Sequence, residues 1–111
     1  MSAQNADVID GIGVDDSTNT LVLLIIDPFT WEVQELEHLR AIQAKINNYV
    51  AYIESKGYGS RYRDRHFDGF RIELVFKYHW TPNAETVLSA GKYQLKQRGI
   101  AFVYSVADTE E

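Results

Sequence analysis

Five residues able to do chemistry fall where an apolar run passes into a helical pattern: Asp27, Trp31, Glu32, Glu35 and His38. A histidine with carboxylates around it can move protons or hold a metal. Glu35 and His38 are three apart and share one side of a helix, but one Glu-x-x-His needs further ligands from elsewhere. A second cluster, Asp64-Arg65-His66-Phe67-Asp68, alternates acids around a histidine. The arginines at 61, 63 and 65 repel a cation there. Neither cluster spells a reaction. Gly11-Ile12-Gly13 is not followed by a helix, and no phosphate-binding Lys-Ser or Lys-Thr loop occurs. Asp15-Asp16-Ser17-Thr18-Asn19 lacks the spacing and terminal Glu of a calcium loop, so it reads as a turn. There are no cysteines, which removes disulfides, thiol nucleophiles and thiolate metal sites. The expectation is a protein that is not an enzyme, with no catalytic residue, metal or cofactor.

The elements that position these residues follow from periodicity. Residues 8 to 14 read as a strand weakened by Gly11 and Gly13. Residues 20 to 27 are apolar on both faces, the pattern of an interior strand. The short link between them makes an antiparallel hairpin. From about Trp31 to Lys56, Leu36, Leu39, Ile42, Ile46, Tyr49, Val50 and Ile53 recur at steps of three and four. This is one stripe of a long helix, with Asp27 or Thr30 as cap, Pro28 in its first turn and Gly57 as its left-handed end. Residues 57 to 70 form a long loop. Residues 71 to 80 alternate, with Ile72, Leu74, Phe76, Tyr78 and Trp80 on one face and Arg71, Glu73, Lys77 and His79 on the other. Thr81-Pro82 opens a second helix with the stripe Ala84, Val87, Leu88, Gly91 and Leu95. Gly91 is expected to allow close approach to the sheet, and Gly99 to end the helix. Residues 100 to 106 are the last strand.

The order ββαβαβ predicts an α+β fold, a two-layer α/β sandwich. Two helices cover one face of a four-stranded mixed sheet, and the other face is open and mostly polar. The 111 residues form a single domain, 1–111, with frayed tails at 1–6 and 108–111. No apolar run approaches the roughly 20 residues of a membrane helix. Met1 to Asp7 carry neither a base nor an apolar stretch. The expected location is cytoplasmic.

Formal charge is −5, unevenly spread. Up to residue 39 stand Asp7, Asp10, Asp15, Asp16, Asp27, Glu32, Glu35 and Glu37, without one Lys or Arg. All the bases come later. The segment Arg61-Tyr62-Arg63-Asp64-Arg65-His66-Phe67 interleaves bases and aromatics, which could contact phosphates and stack bases. A pI near 5.1 argues against nucleic acid as the ligand. A basic loop folding back on the acidic half is the plainer expectation.

Val8-Ile9-Asp10-Gly11-Ile12-Gly13-Val14-Asp15 and the strand from Leu21 to Asp27 carry a likeness. It continues through Trp31, Glu37-His38-Leu39, Ile42 to Tyr49, Tyr52-Ile53-Glu54-Ser55, the strand Ile72 to Tyr78 and Pro82-Asn83. Together these segments, over about residues 7 to 106, resemble the small bacterial family of unknown function DUF6572. The resemblance implies one compact bacterial cytoplasmic domain and brings no reaction or catalytic residue. The loop at 57–70 is more basic and aromatic than that pattern.

The functional expectation is a protein-binding module, an immunity protein or inhibitor of a basic toxin or nuclease. An acidic domain can occlude a basic cleft, with charge speeding the encounter. The predicted docking residues are Asp15, Asp16, Asp27, Glu32, Glu35 and Glu37, with Trp31 as aromatic anchor. The basic loop Arg61 to Arg65 and the open face bearing Arg71, Lys77 and His79 are the alternative sites. The alternative functions are a structural or regulatory homo-oligomer, such as a homodimer, and an acid–base or metal-dependent enzyme using His38.

Overall fold

The computed structural model describes residues 9–31, 34–63 and 65–107. Strand β1 (Gly11–Asp15) and strand β2 (Thr20–Asp27) form the hairpin. Helix α1 (Glu35–Glu54) and a short 3-10 turn (Gly57–Ser60) lead to β3 (Gly69–Phe76). Helix α2 (Pro82–Gln97) and β4 (Ile100–Val106) complete the chain. The sheet order is β1-β2-β3-β4, with β1 antiparallel to β2 and the other neighbours parallel. The α+β sandwich and the order ββαβαβ expected from the periodicity are present.

Alternation decides the layers. Leu21, Leu23 and Ile25 of β2, Ile72, Leu74 and Phe76 of β3, and Ile100 and Phe102 of β4 are buried. Most of them join Ile42, Ile46, Tyr49, Val50 and Ile53 of α1 and Ala84, Leu88 and Leu95 of α2 in one core. Both helices therefore lie on one face. Leu36 falls outside this stripe and is 61% exposed, and Val87 is also exposed. A Cβ on Gly91 would meet nothing within 4 Å, so no close approach requires that glycine.

Element ends differ from the periodic pattern for identifiable reasons. Helix α1 starts at Glu35 behind a left-handed Gln34 (φ 62°) with no side-chain cap. Asp27 cannot cap it, because its carboxylate is spent elsewhere. The left-handed end is Lys56 (φ 60°), not Gly57. Gly57 is needed for space, since a Cβ there would lie 2.7 Å from the Tyr52 ring. Strand β3 stops at Phe76, and the chain bends at Lys77, whose N–H donates to the Asp27 carbonyl at 2.9 Å. Tyr78 is consequently 41% exposed rather than part of the core face. Thr81, as expected, caps α2 by accepting from the Ala84 N–H, and Gly99 (φ 80°) follows it in the left-handed conformation.

The hairpin is fastened to α1 by a buried polar network. Asp10 sits where the β1 ladder stops, and its Oδ2 accepts the Ile26 N–H at 2.8 Å, standing in for a strand carbonyl. Its Oδ1 accepts from the buried Lys45 ammonium at 3.1 Å. The Tyr49 hydroxyl accepts the Asp10 N–H and donates to the Leu24 carbonyl at 2.7 Å. Burial pushes the Tyr49 phenol up to about 12. A buried ammonium needs such pairing.

Two outcomes are expected. Lys45→Met strands the Asp10 carboxylate and lowers unfolding free energy by about 3–5 kcal/mol in denaturant titration. For Tyr49, the folded protein holds the phenol proton more tightly than the unfolded chain does. Its contribution is therefore complete below pH about 10 and is lost as pH rises toward about 12. Tyr49→Phe should flatten that part of the stability–pH curve.

Candidate functional site

The first candidate lies at the carboxyl end of β2. Asp27 is 0% exposed. His38 Nε2, one turn into α1, donates to Asp27 Oδ2 at 2.6 Å, and the Phe29 N–H donates to Oδ1 at 3.0 Å. Trp31 stacks on the His38 ring at 3.9 Å between centroids, and Phe29 meets its edge at 5.9 Å. Trp31 also packs on Phe76 and donates its indole N–H to the Tyr78 carbonyl at 3.3 Å. The His38 Nδ1 is buried and has no hydrogen-bond partner among the described residues. Enclosed in this way, the pair orients a ring and closes the end of the core. Among the described residues no group of three or more His, Asp or Glu could hold a metal.

The predicted docking set does not form one surface. Asp27 and Trp31, which is 7% exposed, are interior groups rather than contacts for a partner. Burial of Trp31 on His38 and Phe76 leaves no aromatic anchor projecting. Glu35 accepts a hydrogen bond from the Thr81 hydroxyl, tying α1 to the start of α2. Glu37 is exposed, and Glu32 lies outside the described residues. Asp15 and Asp16 sit at the opposite end of the eight-residue β2, roughly 23 Å away. The Ser17 hydroxyl bonded to Asp15 holds that carboxyl below its ordinary value, with Arg71 adding to the effect.

The basic loop does fold back on the acidic turn. Arg65 donates to Asp16 Oδ1 at 3.3 Å and to Asn19 Oδ1 at 3.1 Å, and Asn19 Nδ2 donates to the His66 carbonyl at 2.8 Å. Tyr58 and Phe67 are buried with Leu21 in a satellite cluster, with Tyr62 and Phe70 against it. Tyr58 and Phe67 therefore serve packing rather than base stacking.

The second candidate is the uncovered face of the sheet. It carries Val22, Leu24 and Ile26 of β2, Val75 of β3, and Ala101 and Val103 of β4. It also carries Asp15, Thr20, Arg71, Glu73 and Ser105, so the face expected to be mostly polar is mixed, its apolar share coming mainly from β2, which is hydrophobic on both sides. Gly11 and Gly13 make its floor low, and Gly13 would have open space around a Cβ. A shallow concavity runs from these glycines past Val22 and Leu24 to Arg71 and Glu73. Arg71 bridges Glu73 Oε2 at 2.8 Å and Asp15 Oδ2 at 3.4 Å. Two carboxylates share one guanidinium there. Lys77 and His79 lie beyond the end of β3 and are not part of this face.

A family model for a family of unknown function, DUF6572, matches residues 1–108. The chain belongs to this family. No curated protein and no solved structure matches the chain. Among the described residues of this DUF6572 member, no helix is long and apolar enough to cross a membrane. The signal for its open face was in the sequence: Val22, Leu24 and Ile26 alternate with the core residues of β2. The sheet order keeps both helices on the other face, so among the described residues nothing lies over them.

Removing either member of the Asp27–His38 pair is expected to cost about 3 kcal/mol, since the other is left buried and unpaired. A double-mutant cycle with Asp27→Ala and His38→Phe, followed by chemical denaturation, should return a total well below the sum of the single losses.

Proposed function

We propose that this protein is a non-enzymatic binding module that docks a basic protein, of the toxin or nuclease kind, on its open sheet face. The observation that carries the proposal is the uncovered apolar lane of Val22, Leu24, Ile26, Val75 and Val103. An antiparallel or mixed sheet facing water ordinarily turns polar residues outward, and a contiguous apolar patch marks a contact surface. The occupant is suggested by charge. Asp15 and Glu73 outnumber Arg71 by one on that face, so one carboxylate charge remains to be met by a Lys or Arg of the partner. The open space over Gly13 leaves room for that side chain to approach. The net charge of −5 supplies long-range attraction for a basic partner.

The test is capture from the producing cell, followed by binding of the purified pair with Leu24→Asp, Glu73→Lys and, as control, Glu37→Lys. A basic partner should bind wild type and the control alike. Glu73→Lys should weaken it roughly tenfold, and added salt should slow its association. Thermal stability should stay nearly constant for Glu73→Lys. If the purified partner binds all three variants equally well, or is itself acidic, the proposal fails.

A further inference from the structure

Strand β4 is the last strand of the sheet, and among the described residues nothing pairs with its outer edge. Its seven residues, Ile-Ala-Phe-Val-Tyr-Ser-Val, contain no charge, proline or glycine. Sheets usually blunt such an edge with charged side chains, proline or a bulge. The opposite edge, β1, has five residues, two of them glycine, and closes on Asp15. Just past β4, the Ala107 N–H donates inward to the Phe76 carbonyl. Backbone groups along a strand alternate in direction from one residue to the next. The N–H and C=O of Ile100, Phe102 and Tyr104 therefore face outward, where a further strand would take them.

A groove of about 350 Å³ runs beside that edge, lined by Lys92 and Lys96 of α2, Gly99, and Ile100 to Val103. No carboxylate lines it. Both lysines are exposed, and among the described residues no ion pair engages either of them. They stand about one helical turn apart, a rise of about 6 Å. Alternate residues of an extended strand are about 6.7 Å apart and point to the same face. A strand laid along β4 would thus bring two acids, at positions i and i+2, to both ammonium groups at once. Its intervening residues would point to the open face beside Ala101 and Val103, which are exposed and call for apolar neighbours.

We infer that β4 takes a fifth strand from an extended acidic segment of another protein, in which carboxylates alternate with apolar residues. The edge backbone supplies affinity, and the two faces choose the side chains. Lys92 and Lys96 select acids on the helix side, while Ala101 and Val103 select apolar groups on the other. A run of acids without alternation would offer only half its carboxylates to the lysines and would set the rest against Val103. This surface is separate from the dock on the open face and takes a segment of opposite charge.

The probe is a short synthetic peptide in which Glu and Val alternate, labelled with a fluorophore and titrated with the full chain by anisotropy. It should bind wild type, and added salt should weaken it. A peptide of the same composition with Glu and Val in two blocks should bind roughly tenfold more weakly, as should one alternating Lys and Val. Lys92→Glu with Lys96→Glu should cause a similar loss with an unchanged far-ultraviolet spectrum, and should turn the preference toward the Lys–Val peptide. Strand pairing is read with N-methyl groups on all the Glu nitrogens or on all the Val nitrogens. Only one of these sets faces β4, so one methylated peptide should lose binding and the other should keep it. Loss with both sets, or with neither, overturns strand addition. Equal binding of the alternating and block peptides, or no binding of the alternating one, overturns the inference. Sedimentation of the chain alone should show a monomer. A dimer broken by Val103→Lys would instead assign the edge to a second copy. Leu24→Asp, which tests docking on the open face, should bind the peptide as wild type does, so the two proposals fail separately.

Discussion

A carboxylate with no exposure to water has to be paired where it stands, and Asp27 meets this constraint at a junction of four segments. Its side chain accepts from His38 of α1 and from the Phe29 N–H, and its carbonyl accepts from Lys77 after β3. These bonds settle where β2 stops and how far the chain travels before α1 begins. Just beyond, the chain bends at Lys77, and Trp31 closes over His38 and Phe76. The chemistry that an Asp–His pair suggests in sequence is thereby given to architecture.

A second fastening works on the other side of β2. Lys45, Asp10 and Tyr49 satisfy one another and the free backbone groups next to β1. Edge strands of five residues with two glycines have little side-chain packing of their own. The network substitutes specific polar contacts for that missing packing, and it ties the hairpin to the middle of α1.

With the helix face closed by these anchors, what remains for partners is the other face and the β4 edge. The charged residues that looked like a single docking surface divide between two ends of β2. At the turn end, Arg65 and Arg71 from the later half of the chain return to meet Asp16 and Asp15. Of the eight early acids, Asp10, Asp15 and Asp16 are thus met in space by bases from the later half. The surplus that persists at Arg71, between Asp15 and Glu73, lies within an apolar lane, where a charge counts for more than on an open rim.

Periodicity by itself determined the strands β2 and β4, the cap and start of α2, and the two-layer order, since alternation and helical stripes report directly on which side is buried. The bounds of β1, α1 and β3 depended on tertiary contacts. Asp27 reads as a cap until His38 claims it, and Tyr78 continues an alternating pattern past the bend at Lys77 where the strand has ended. Gly57 reads as a helix end, but its small size answers to the Tyr52 ring. Burial of Lys45 and Trp31 is likewise invisible in a linear pattern, because a long side chain's exposure depends on what folds over it. The apolar residues facing away from the helices were legible in β2. That they face an uncovered side was decided by sheet order, which places helices on one layer only.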